Sequence, residues 1–153
     1  MGLLAGRVER GGEQLSRIYA FDLFAANWDR HPGNYLVLED GNALVVFAID
    51  FSHVTCHPGL TPPQADPMSA PCATRIHFPQ VVAPYGSNAV AALEIIDRLQ
   101  SLPNDAISAI LNEIPDDWLS PSDKSDVQSW WQGPLRSERT TAIQQGIHNG
   151  TLI

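Results

Sequence analysis

A chain of 153 residues with 44% hydrophobic content is long enough for one domain with a buried core and short for two. Its formal net charge of -8 excludes the basic stripe that grips a phosphate backbone, so direct nucleic-acid binding is not expected. Two cysteines, no run near the ~18 apolar residues of a membrane span, and an N-terminal stretch that is charged too early for a secretory signal give the expectation of a cytoplasmic chain with no membrane partner.

Residues 13–26, EQLSRIYAFDLFAA, carry Leu15, Ile18, Tyr19, Phe21, Leu23 and Phe24 densely enough for a mostly buried helix. It must stop near Asn27, because Pro32 and Gly33 oppose its continuation. Two apolar runs, YLVL and ALVVFAI, flank Asp40-Gly41 and read as a β-hairpin. Residues 55–87 hold Pro58, Pro62, Pro63, Pro67, Pro71, Pro79 and Pro84 with little periodicity and are expected to be one long irregular segment of functional kind. Then SNAVAALEIIDRLQSL opens on a Ser87 or Asn88 cap, NDAISAILNEI follows Pro103, and the tail reads as two helices broken at Gly133-Pro134 and ended by Gly150. The expected fold class is α+β, mostly α, in a single domain over 1–153, divided into 13–54, 55–87 and 88–153.

The stretch between the first helix and the hairpin, NWDRHPGN, is the chemically distinctive one. Phosphoryl transfer from ATP needs an acid that orients the acceptor hydroxyl and oxygen ligands that hold Mg²⁺ across the phosphates. Magnesium keeps several waters, so one amide and one carboxylate suffice from the protein. Asp29 and Asn34 have the D-x-x-x-x-N spacing of a kinase catalytic loop, and Asp50-Phe51-Ser52 follows the second hairpin strand, where kinases carry an Asp-Phe-Gly metal ligand.

Residues 21–53, FDLFAANWDRHPGNYLVLEDGNALVVFAIDFSH, resemble the catalytic core of the HipA-like kinases, with their N-x-D-R-H-x-x-N loop and I-D-F/H-x-H segment. Lipid kinases share a similar D-R-H-x-x-N loop, and aminoglycoside and choline kinases a related H-G-D-x-H-P-x-N; Asn27 stands where that last group has its first His. The resemblance implies a protein-kinase-like C-terminal lobe with a small β-hairpin. It implies Asp29 as catalytic base, Asn34 and Asp50 as the Mg²⁺ and ATP ligands, and His31 near the transferring phosphate. Ser52 replaces the usual Gly after Asp-Phe. The implied reaction is transfer of the ATP γ-phosphoryl group to a Ser or Thr hydroxyl of a protein.

What such an enzyme also needs is missing from these residues. There is no G-x-G, and the sole lysine is Lys124 in the helical tail. The N-terminal lobe is therefore expected to be absent, and the chain to be a fragment or one half of a split kinase whose partner is a separate N-lobe polypeptide, with little activity alone. The alternatives are a non-catalytic pseudokinase or binding module, and a lipid or small-molecule kinase. His53, Cys56, His57, Cys72 and His77 crowd the Pro-rich stretch, but with no C-x-x-C pair zinc is not expected. Glu9, Glu13 and Asp22 read as solvated or capping charges, Arg30 as a structural partner of the loop, and Trp118, Trp130 and Trp131 as packing residues.

Overall fold

The computed structural model describes residues 8–41, 43–54, 63–67 and 72–153. Helix α1 spans Gly11–Ala25; a 3-10 turn over Pro32–Asn34 leads into strands β1 (Tyr35–Asp40) and β2 (Ala43–Ala48). Five helices follow: α2 (Ala73–Val82), α3 (Ala89–Ser101), α4 (Asn104–Glu113), α5 (Pro121–Gln132) and α6 (Pro134–His148). The described chain is thus mostly helical, with one antiparallel hairpin in which Leu36 pairs with Phe47 and Leu38 with Val45. No helix among the described residues is long and apolar enough to cross a membrane.

Helix α1 is the axis of the fold because α2, α3, α6 and β2 all pack on it. Leu15, Tyr19 and Leu23 recur at helical spacing and join Phe78, Ala92, Ile96, Ile143 and Ile147 in one core. The Tyr19 ring stacks on Phe78 with centroids 3.8 Å apart, and this burial pushes the Tyr19 hydroxyl up to about 12. Phe24 lies against both Trp130 and Trp131, at 5.6 and 6.1 Å. Arg139 of α6, itself buried, donates from Nε to the carbonyls of Leu23 and Phe24 at 3.1 and 3.0 Å. It therefore caps the C-terminal end of α1, where free carbonyls and the helix dipole favour a cation.

Local signals account for most helix ends. Asn88 caps α3 by accepting from the Ala91 N–H at 2.9 Å, and Ser120 caps α5 through the Asp123 N–H at 3.2 Å. Gly150 closes the tail in the left-handed region at φ 74. Gly12 is required by a close approach: a Cβ there would lie 2.2 Å from the Gly86 carbonyl oxygen. Gly12→Ala is expected to cost about 3 kcal/mol in urea denaturation, because backbone rather than a mobile side chain must yield. A variant as stable as the wild type would contradict that packing.

Two expectations are corrected. The stretch 55–87 is not irregular throughout, since α2 occupies Ala73–Val82 and buries Thr74, Phe78, Val81 and Val82. Those positions have helical spacing, and the helix continues through Pro79, which lies on its exposed side. Within the same stretch, Trp130 Nε1 donates to the Pro63 carbonyl at 3.1 Å, which ties that backbone to α5; residues 55–62 and 68–71 lie outside the described residues. Trp118 is 78% exposed and is not a packing residue, unlike Trp130 and Trp131.

Candidate functional site

The segment after α1 is organised by one buried ion pair. Helix α1 ends on Ala26 in the left-handed conformation, φ 51, and the chain turns so that Asn27 donates from Nδ2 to Asp22 Oδ1 at 2.8 Å. Arg30 folds back to the same carboxylate, with Nε 2.7 Å from Asp22 Oδ2 and Nη2 2.9 Å from Oδ1. Both side chains are essentially inaccessible, at 1% and 0%. Burial pushes the Asp22 carboxyl up, and the hydrogen bonds from Arg30 and Asn27 pull it back. Asp22 is therefore not the solvated charge expected from sequence; it is the anchor of the loop.

The remaining donors of Arg30 reach two further segments. Nη1 donates to the Asn34 carbonyl at 3.1 Å and also to the Ile49 carbonyl. The guanidinium lies 4.6 Å from the centre of the Phe51 ring, and the Ile49 N–H donates to the Asn34 carbonyl at 3.0 Å. A single planar fork thus joins the end of α1, the 3-10 turn and the segment leaving β2. Thr74 at the start of α2 adds a fourth element: its hydroxyl donates to the Asn27 carbonyl and accepts from the Arg30 N–H at 3.0 Å.

Around this anchor the candidate residues sit as follows. Asn34 is buried, and its Nδ2 donates to the Asp29 carbonyl at 3.1 Å. That leaves its Oδ1 with no hydrogen-bond partner among the described residues. Asp50 is exposed at φ 56, a left-handed conformation that Asp adopts more readily than most residues. The Ser52 hydroxyl and backbone N–H donate to Asp50 Oδ1 at 2.6 and 3.2 Å, and these bonds hold the carboxyl below the usual carboxylate range. Asp29 is partly exposed, with Oδ2 3.7 Å from His53 Nε2. His31 points elsewhere in its interactions: Nδ1 accepts from the Gly33 N–H at 3.1 Å, capping the turn.

Asp29 and Asn34 are directly linked, then, and Arg30 ties their loop to the carbonyl of Ile49, the residue before Asp50. No group of three or more His, Cys, Asp or Glu side chains arranged for a metal occurs among the described residues; Cys56 and His57 lie outside them. Lys124 is committed to Asp116 at 2.7 Å and to the Ile114 carbonyl, bridging the α4–α5 connection. Asp22 is the residue sequence reasoning missed, although it stands seven residues after Leu15 and three after Tyr19, on the buried stripe of α1. Comparison with known protein families, curated proteins and solved structures finds no match to this chain.

Proposed function

We propose that this chain is a catalytic lobe of HipA-like serine/threonine kinase type, a protein-kinase-like C-terminal lobe that transfers the γ-phosphoryl group of ATP to a protein hydroxyl. The observation that carries this reading is the Arg30 fork, which joins the Asp29–Asn34 loop to the segment bearing Asp50. In the reaction the acceptor oxygen forms a bond to the γ-phosphorus, its proton passes to Asp29, and ADP leaves with the electrons of the broken P–O bond. Asp29 suits the base because its carboxylate is partly exposed to an incoming hydroxyl, with the His53 ring 3.7 Å away.

Mg²⁺ fits the donors present. Asn34 offers an amide oxygen whose own nitrogen is locked, and Asp50 offers an exposed carboxylate that is ionised at neutral pH. When bound, the ion would neutralise charge on the phosphates. The lysine and phosphate cover would come from a partner lobe, because Lys124 is engaged with Asp116.

Titrating the chain with Mn²⁺ and ATP and following amide line broadening by NMR tests the site. Broadening is expected to centre on Asn34 and Asp50–Ser52, with Asp50→Asn binding at least about tenfold more weakly. Because the Asp50 pKa is lowered, metal binding should persist at neutral and mildly acidic pH and fall away only as the pH drops below the usual carboxylate range. Broadening centred on another face would overturn the assignment.

A further inference from the structure

Beside Asp29 opens a groove of about 340 Å³ lined by Trp28, Asp29, His53, Cys72 and Ala73. Its walls come from three segments: the loop after α1, the turn after β2, and the residue that begins α2. Trp28 is 46% exposed although it sits between the buried Asn27 and the Asp29–Arg30 pair. An indole held open to solvent there is not a core residue; its ring lies 6.1 Å from that of His53 across the groove.

The permanent charges at this groove are negative. Asp29 lies in its wall and Asp50 is near enough to feel His53. No lysine or arginine lines it among the described residues. Of the two arginines closest in sequence, Arg30 is engaged with the buried Asp22, and Arg75 lies close enough to Tyr19 to lower the pKa of its hydroxyl. The imidazole of His53 is directed to Asp29. An anionic headgroup would meet one imidazole, already directed to Asp29, and two carboxylates to repel it, whereas a guanidinium or ammonium finds an indole face and a carboxylate together.

We infer that this groove receives the phosphoryl acceptor, and that the acceptor is a serine- or threonine-bearing peptide with a basic side chain next to the hydroxyl. This rests on the phosphoryl-transfer reading and decides, within it, for a peptide over an anionic lipid headgroup. Trp28 is then a binding residue: the basic side chain stacks on the indole, and the neighbouring hydroxyl is delivered to Asp29.

The test is an NMR titration of the ¹⁵N-labelled full chain, without nucleotide or metal. One arm uses a short peptide with a single serine flanked by arginines; a second replaces the arginines by glutamine; a third uses phosphatidylcholine vesicles containing phosphatidylinositol phosphates. The arginine peptide is expected to shift the Trp28 indole and Ala73 amide signals. Trp28→Ala should weaken that binding roughly fivefold to tenfold and Trp28→Phe about twofold. The glutamine peptide should bind several-fold more weakly than the arginine peptide, and the vesicles should leave the groove signals unmoved. Trp28→Phe retains an aromatic ring at a partly exposed position, so an intact amide fingerprint separates lost binding from lost folding. Shifts confined to another face, equal affinity of Trp28→Ala, or vesicle binding at these same residues would overturn the inference. Since this binding needs no ATP, groove binding with no phosphoryl transfer even after an N-terminal lobe is added defeats only the kinase reading, and transfer without groove shifts defeats only this one.

Discussion

Replacing Arg30 by Met is expected to destabilise the fold by about 3–5 kcal/mol, a large part of the 5–15 kcal/mol that holds a domain of this size together. The loss is not the strength of one salt bridge. Asp22 is 0% accessible, and without Arg30 its carboxylate keeps only the Asn27 amide as a partner. The carbonyls of Asn34 and Ile49 lose a donor in the same change. The effect should depend on pH with a defined sign. Burial already raises the Asp22 pKa, and removing Arg30 removes the largest opposing influence. A carboxyl whose folded pKa exceeds its unfolded value binds protons preferentially in the folded state, so stability falls as pH rises through that window. Arg30→Met should therefore be least stable at neutral pH and regain stability as pH is lowered toward the ordinary carboxylate range near 4. Pairing it with Asp22→Leu should recover much of the loss, because the orphaned charge is gone, leaving the cost of the two carbonyls. Chemical denaturation of the two variants at neutral and mildly acidic pH measures both effects; equal destabilisation at both pH values would exclude Asp22 as the cause.

Asp29→Asn is expected to lower phosphoryl transfer by roughly 10²–10⁴ while leaving the fold intact. The fold should survive because the loop is held by the Asp29 backbone carbonyl, which accepts from Asn34, and not by its partly exposed side chain. An amide there cannot take the acceptor proton. Asn34→Ala should instead cost both functions, since it removes an amide oxygen from the site and the bond that sets the turn. Comparing the thermal transitions of the two variants separates the roles: Asp29→Asn should melt with the wild type and Asn34→Ala below it.

Much of this arrangement was readable from local signals. The hairpin around Gly41, the cap at Asn88 and the break at Gly133-Pro134 each follow from one or two residues whose backbone preferences are strong. Helix α2 was hidden because its buried set of Thr74, Phe78, Val81 and Val82 is short and the helix contains Pro79, amid further prolines that all argue for a loop. Asp29, Asn34 and Asp50 were picked out by spacing, but the bonds that tie their segments together were not legible. Arg30 reaches Asp22 across eight residues and Ile49 across nineteen, and nothing in sequence spacing shows which basic residue turns inward. Asp22 could have been found by trusting the helical stripe over its charge, since an acid on the same face as Leu15 and Tyr19 must be buried and so must be paired. Trp118 was misread for the converse reason: an aromatic residue near amphipathic helices is usually covered, and here it is not.

The central proposal is that Asp50, on the segment that Arg30 ties to the Asp29–Asn34 loop, completes a phosphoryl-transfer site. It is tested most directly by ³²P transfer from ATP, measured for the chain alone and with a separately expressed HipA-like N-terminal lobe, in wild type and Asp50→Asn. The wild-type chain should transfer little alone and measurably with the added lobe, and Asp50→Asn should lower the restored rate by roughly 10²–10³, because a neutral amide removes the charge that holds the metal. Transfer by the reconstituted Asp50→Asn variant at the wild-type rate would contradict the account.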